Sequence, residues 1–221
     1  MEFKLFTYPQ QAIFDKVLPK SKIYEFAKPS NAVRELFIKQ VEQIVWEYKL
    51  SPDTINIPAG EGVDEIQILK IQSKVPEINQ EVFRTIDEAI PSNIFYEVVT
   101  ESRVKLIGAY KRVNEADSAK WVTDAYFESD WVPIATERIN IPLALTMGGL
   151  YAQMLRSIMP GQARSNESLK AQAERLEQLR LKNVDLTKLK IKLAKEKQFN
   201  KKVEINSQLR VIENLIDQLS D

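Results

Sequence analysis

The chain has 221 residues, 44% apolar and 28% charged, with no histidine and no cysteine. That absence excludes Ser-His-Asp triads, cysteine nucleophiles, His/Cys zinc sites, haem ligation and iron–sulfur clusters, leaving carboxylates, lysines, arginines, hydroxyls and backbone groups for any chemistry. The net charge of zero hides a split: 18 basic residues face 22 acidic ones up to Ala163, and 13 face 9 from Arg164 onward, two segments with different tasks.

Pro29-Ser30-Asn31 opens a helix with Ser30 or Asn31 as its cap. Val33, Leu36, Phe37, Val41, Ile44, Val45 and Tyr48 then share one face at helical spacing. Thr54 to Ile57, the turn Pro58-Ala59-Gly60-Glu61-Gly62 and Val63 to Ile71 read as strand, turn and strand, with the two glycines supplying positive φ. Asn79 caps a helix carrying Val82, Phe83, Ile86 and Ile90, and Pro91 stops it. Strands follow at Ile94 to Thr100 and Val104 to Lys111, joined at Glu101-Ser102, and another at Trp121 to Phe127. Pro142 to Ile158 reads as a helix with Leu145, Leu150, Tyr151, Met154 and Leu155 inward, although Gly148-Gly149 lowers its propensity. Helices and strands mix without regular alternation. The expected fold class is therefore α+β: a mixed, largely antiparallel sheet flanked by helices, followed by a C-terminal arm.

The boundary falls at Met159-Pro160-Gly161-Gln162, after which neither proline nor glycine recurs. A globular domain over 1–160 and a helical arm over 164–221, an α-hairpin or a coiled coil, are expected. Ile205, Leu209, Ile212, Ile216 and Leu219 step by four, three, four and three, a heptad seam. Leu169, Ala173 and Leu176 start a similar one. The register slips near Asn183-Val184-Asp185, so a bend or a hairpin turn is placed there. A helix from Asp185 to Ser220 would reach about 54 Å and could not cover its own stripe. It would need the body, the upstream helix or another chain.

Several strings carry a resemblance: Ile44-Val45-Trp46-Glu47-Tyr48-Lys49-Leu50-Ser51-Pro52, Glu65-Ile66-Gln67-Ile68, Ala109-Tyr110-Lys111, and the tail from Lys195 to Glu204. Together they resemble the bacterial family filed as domain of unknown function 4391, over nearly the whole chain. The resemblance implies a small protein encoded beside helicase and DNA-methyltransferase genes in restriction-like or anti-phage loci. It assigns no reaction and no functional residues.

The sharpest chemical pattern is Asp53 followed by Glu65-Ile66-Gln67. It is similar to the PD-(D/E)xK nuclease pattern, in which two carboxylates on paired strands hold a divalent cation such as Mg²⁺ that activates water. With a turn at Gly60-Glu61, residue 53 would lie near residue 67, and Glu65 and Gln67 would share a face. A helix bearing Glu42 and Glu47 would precede them. Gln67 stands where a lysine is wanted, and Lys70 points to the other face. The plainer reading is an Asp in a Ser-Pro-Asp-Thr turn and a solvated strand face.

Arg180 to Lys202 holds nine basic residues and two acidic ones. Lys190, Lys197 and Lys201 are the candidate nucleic-acid contacts. The lysines spread around the helix and Phe199 is the segment's one aromatic, which also fits a solvated helical surface. Trp121, Tyr126, Phe127 and Trp131 fit a stacking surface, but read better as core.

The expected function is that of a non-enzymatic accessory protein without a cofactor. Its arm would bind a helicase or DNA-methyltransferase partner, or a second copy, through Ile205, Leu209, Ile212, Ile216 and Leu219. The alternatives are a Mg²⁺-dependent nuclease using Asp53 and Glu65, or a nucleic-acid-binding module without catalysis. No apolar run approaches the roughly 20 residues that span a bilayer, and Met1 to Phe6 lacks a secretory signal's order. No membrane and a cytoplasmic location are expected.

Overall fold

In a computed structural model, which describes residues 3–113 and 121–220 with the side chains of Val113 and Trp121 excepted, the chain divides into the units Met1–Met159 and Pro160–Asp221. The first unit contains β1 (Phe6–Thr7), β2 (Ile13–Val17), α1 (Lys20–Ala27), α2 (Asn31–Gln40), β3 (Val41–Leu50) and the single helical turn α3 (Pro52–Ile55). It continues with β4 (Ile66–Ser73), α4 (Gln80–Ala89), β5 (Asn93–Val99), β6 (Arg103–Val113), β7 (Trp121–Glu128), β8 (Val132–Pro133), β9 (Ile139–Asn140) and α5 (Met147–Arg156). Among the described residues a seven-stranded sheet has the order β2-β3-β4-β5-β6-β7, with β8 beside β6. Within it β4 and β5 run parallel, joined through α4, and the other pairs are antiparallel. The unit is α+β.

The sheet has two differently covered faces. Ile44, Leu69, Ile71, Ile94, Tyr96, Val98 and Ile107 point to one side and form a core with Ile23 of α1, Phe37 of α2, and Val82, Phe83 and Ile86 of α4. Strand alternation sends Phe95 to the other side, where its ring lies 5.8 Å from that of Tyr151 on α5. Leu150, Tyr151, Met154 and Leu155 are buried as their spacing predicts. Leu145 is exposed instead, because the helix starts only after Thr146, whose hydroxyl caps the Gly149 N–H at 3.0 Å.

Two local expectations fail for physical reasons. The helix from Ser30 stops at Gln40, although Ser30 caps it as expected. Val41, Ile44, Val45, Trp46 and Tyr48 go on as a strand paired on both edges. β-branched and aromatic side chains favour that state once strands flank them. Thr54 to Ile57 is not a strand. Pro52 occupies the first turn of α3, and Ser51 and Thr54 satisfy each other's backbone N–H groups in a capping box. The partner of β4 is therefore β3, with Lys49 opposite Gln67.

The turn after α3 closes between Gly60 and Val63, with Glu61 and Gly62 at positive φ. Here Gly148 has a reason that helix propensity does not supply. A Cβ on it would lie 2.5 Å from the Glu61 Cβ and 2.7 Å from the Gly60 carbonyl oxygen. Its missing side chain lets the turn sit against the first coil of α5.

The second unit is two long helices, α6 (Leu169–Lys195) and α7 (Phe199–Ser220), packed against each other and joined by Glu196, Lys197 and Gln198. It is a hairpin, but the reversal lies beyond the expected Asn183–Asp185 region. Asn183 returns its side-chain amide to the Leu179 carbonyl at 2.9 Å, and the helix runs on. Glu196 makes the turn by accepting the N–H groups of Lys197 and Gln198, both at 2.8 Å. At the open end Arg175 donates to Glu167 at 2.7 and 2.9 Å and to the Leu219 carbonyl at 3.0 Å, tying α7 to α6.

Two outcomes follow from these contacts. Gly148→Ala should lower stability by about 1–3 kcal/mol through overpacking, read in urea melts. The hydrogen bonds from Arg175 hold the Glu167 carboxyl down at about 2, against an ordinary 4.5. The stability it adds is present above about pH 4.5 and is lost as pH falls toward 2. Circular-dichroism melts across that window should show a pH dependence that Glu167→Gln reduces.

Candidate functional site

The nuclease-like pattern does not assemble as its spacing suggests. Asp53 sits exposed in the first turn of α3. Glu65 lies just before β4, with one oxygen 2.7 Å from the Lys49 ammonium and the other accepting the Gln67 amide at 2.9 Å. Gln67 is buried, and its carbonyl oxygen accepts the Trp46 indole N–H at 2.9 Å. Register places Lys49, not Asp53, opposite Gln67. Glu42 and Glu47 are carried by a strand rather than by a preceding helix. Among the described residues no group of three or more carboxylates could hold a metal ion. The oxygens of the pattern are already engaged, that of Gln67 by Trp46 and those of Glu65 by Lys49 and Gln67.

From Gln67 a polar chain continues into the core. Its amide lies 3.4 Å from the Ser92 hydroxyl, and the Ser92 carbonyl accepts from Lys111 at 2.5 Å. Lys111 pairs with Asp87 at 2.7 Å, both almost fully buried. Asp87 also accepts the Tyr96 hydroxyl at 2.5 Å and that of Tyr126. Burial pulls the Lys111 ammonium down from its ordinary value, and Asp87 opposes that. Burial, then Asp87, pushes Tyr96 and Tyr126 up, so both keep their protons and donate. The network bonds α4 to β5, β6 and β7, with Asp87, Lys111 and Tyr96 buried and Ser92 and Tyr126 half-buried.

The opposite face carries a second cluster that sequence reading misses. Arg138 grips Glu97 with two bonds of 2.8 Å and donates to the Phe6 carbonyl at 2.8 Å. Lys70 lies 3.5 Å from Glu47, whose carboxyl is raised chiefly by burial. The Tyr8 hydroxyl is buried near Glu97 without meeting hydrogen-bond geometry, and its ring lies 4.8 Å from that of Tyr48. These residues come from five separate stretches of chain, and no local motif marks them.

At the carboxyl ends of β4 and β5, where open sheets with parallel strands commonly bind ligands, an open groove of about 660 Å³ is lined by Ser73, Lys74, Glu77, Thr100, Arg103 and Trp131. Just beneath, Lys105 is buried between Glu77 at 2.9 Å and Glu128 at 2.8 Å, with Trp131 5.0 Å away over its ammonium. The lining mixes both signs and selects no ligand class. Of the aromatics read as core, Phe127 is buried and Tyr126 bonds Asp87. Trp131 is half-exposed and lines this groove, and the Trp121 side chain lies outside the described residues.

On the hairpin, Ile205 and Leu209 are buried, while Ile212, Ile216 and Leu219 are half-buried. The helices leave other apolar groups in water: Leu181, Val184 and Ile191 on α6, and Val203, Val211 and Leu215 on α7. Lys190 lies 3.8 Å from Glu213 on the facing helix, whereas Lys197 and Lys201 have no ion pair among the described residues.

Asp87→Asn should cost about 3–5 kcal/mol in urea denaturation, because it leaves the Lys111 charge buried without its counterion. The double variant Asp87→Asn with Lys111→Met should recover part of that loss.

No helix among the described residues is long and apolar enough to cross a membrane. No curated protein and no solved structure matches the chain. The sequence matches the family described as Domain of unknown function (DUF4391) over residues 6–216. The chain belongs to that family.

Proposed function

We propose that this chain is a non-enzymatic assembly protein that docks a larger partner through its helical hairpin. The carrying observation is the set of apolar side chains that the two helices leave exposed, above all Val203, Val211 and Leu215 on α7 and Ile191 on α6. These side chains are already about half covered, so burying the rest of each contributes about 0.5–1.5 kcal/mol, which adds up across the set toward holding a partner. Ile205 and Leu209, expected to bind the partner, are buried and lie outside the proposed surface. Ile212, Ile216 and Leu219, half-buried, border the proposed surface.

The gene neighbourhood implied by the resemblance points to a helicase or DNA-methyltransferase subunit of a restriction-like or anti-phage system as the partner, acting in the cytoplasm. Glu65 engaged by Lys49 and Gln67 supports placing catalysis in the partner rather than in this chain.

Co-expression of the tagged full-length chain with the adjacent helicase or methyltransferase subunit tests the proposal. The wild-type chain should retain the subunit on a column. Val211→Glu with Leu215→Glu should release it while leaving the helical circular-dichroism signal unchanged. Retention of the subunit by that variant at the wild-type level would contradict the proposed surface.

A further inference from the structure

Between residues 188 and 202 the sequence places seven lysines against one carboxylate, Glu196. On a single long helix they would be strung along its axis and turned to every side. The reversal at Glu196–Gln198 changes this. It brings the last turns of α6, with Lys188, Lys190, Lys192 and Lys195, to the same end as Lys197 in the connection and Lys201 and Lys202 in the first turn of α7.

Two of the seven are occupied, Lys188 by Asp185 at 3.9 Å and Lys190 by Glu213 at 3.8 Å. Lys192, Lys195, Lys197, Lys201 and Lys202 are exposed and make no ion pair among the described residues. Glu196, whose carboxylate accepts the Lys197 and Gln198 N–H groups at the turn, interacts electrostatically with Lys201 and Lys192, and as one negative charge it leaves the tip strongly positive. Phe199 stands among these lysines, 78% exposed.

We infer that the tip of this hairpin is a nucleic-acid contact that grips the phosphate backbone without reading sequence. Lys192 and Lys195 share one face of α6, Lys197 lies in the connection, and Lys201 and Lys202 open α7, so the unpaired charges come together from three consecutive stretches of chain. Charge gathered at one end of a hairpin suits the closely spaced phosphates of a nucleic acid. Lysine is a compact point charge suited to phosphate. The exposed Phe199 ring offers a face on which an unpaired base can stack. The tip residues are separate from the apolar positions of the docking proposal, except for flanking Ile191 and Val203, so the two readings fail independently.

Fluorescence anisotropy of a labelled 30-base-pair duplex, with the intact chain, tests the inference. With about five phosphate contacts, affinity should fall on the order of 10²–10³-fold between 50 and 200 mM salt. Two duplexes of unrelated sequence should bind alike. Lys195→Gln, Lys197→Gln, Lys201→Gln and Lys202→Gln together should weaken binding at least tenfold, while helicity, read by circular dichroism, stays unchanged because Gln and Lys have similar propensities. Replacing Lys16, Lys22, Lys28 and Lys39 on the first unit by Gln should leave binding intact. The inference is overturned by no binding at 50 mM salt, by full binding of the tip variant, or by displacement of the duplex by polyglutamate or anionic vesicles at lower charge concentrations than unlabelled DNA.

Discussion

A helix that turns back on its neighbour can cover only one of its stripes, and this constraint governs what the second unit offers. The heptad of α7 puts Ile205 and Leu209 out of reach of water, and Arg175 fastens the far end through Glu167 and the Leu219 carbonyl. What remains outside follows from that choice: scattered valines, leucines and isoleucines along the outer faces, and a crowd of lysines at the turn. The apolar side chains suit a protein surface and the lysines suit phosphate.

The first unit is built on a different economy. Its sheet is closed by apolar packing on one side and by α5 on the other, and each side includes a charged pair that the fold must satisfy. Asp87 and Lys111 solve this with two tyrosine hydroxyls and a carbonyl. Glu97 is fixed by Arg138, and Tyr8 beside it stays short of a bond. Low dielectric makes such networks costly when broken and specific when complete.

Elements with strong local signals were legible from the sequence. Ser30 and Asn79 each cap a helix with a side-chain oxygen, and β5, β6 and β7 follow apolar runs bounded by turns. The α+β class was legible in the same way. Val41 to Tyr48 was not, because its apolar residues fit a helical face as well as a strand, and the choice depends on partners at residues 13–17 and 66–73. The mistaken strand at Thr54 had a local signal in Ser51, Pro52 and Thr54, which together favour a capped turn. The hairpin reversal carries neither glycine nor proline; a glutamate side chain makes it. Lys49 beside Glu65 became visible only once the true register was known.

The central claim is that α6 and α7 close on each other within one chain. The absence of native cysteine makes this directly measurable. Lys190→Cys with Glu213→Cys, positions whose side chains meet across the hairpin at 3.8 Å, can be joined by a short bismaleimide in dilute solution and sized by mass spectrometry. The account predicts a cross-linked monomer as the dominant product. Cross-linked dimers in its place would show the helices pairing between chains and would contradict the hairpin.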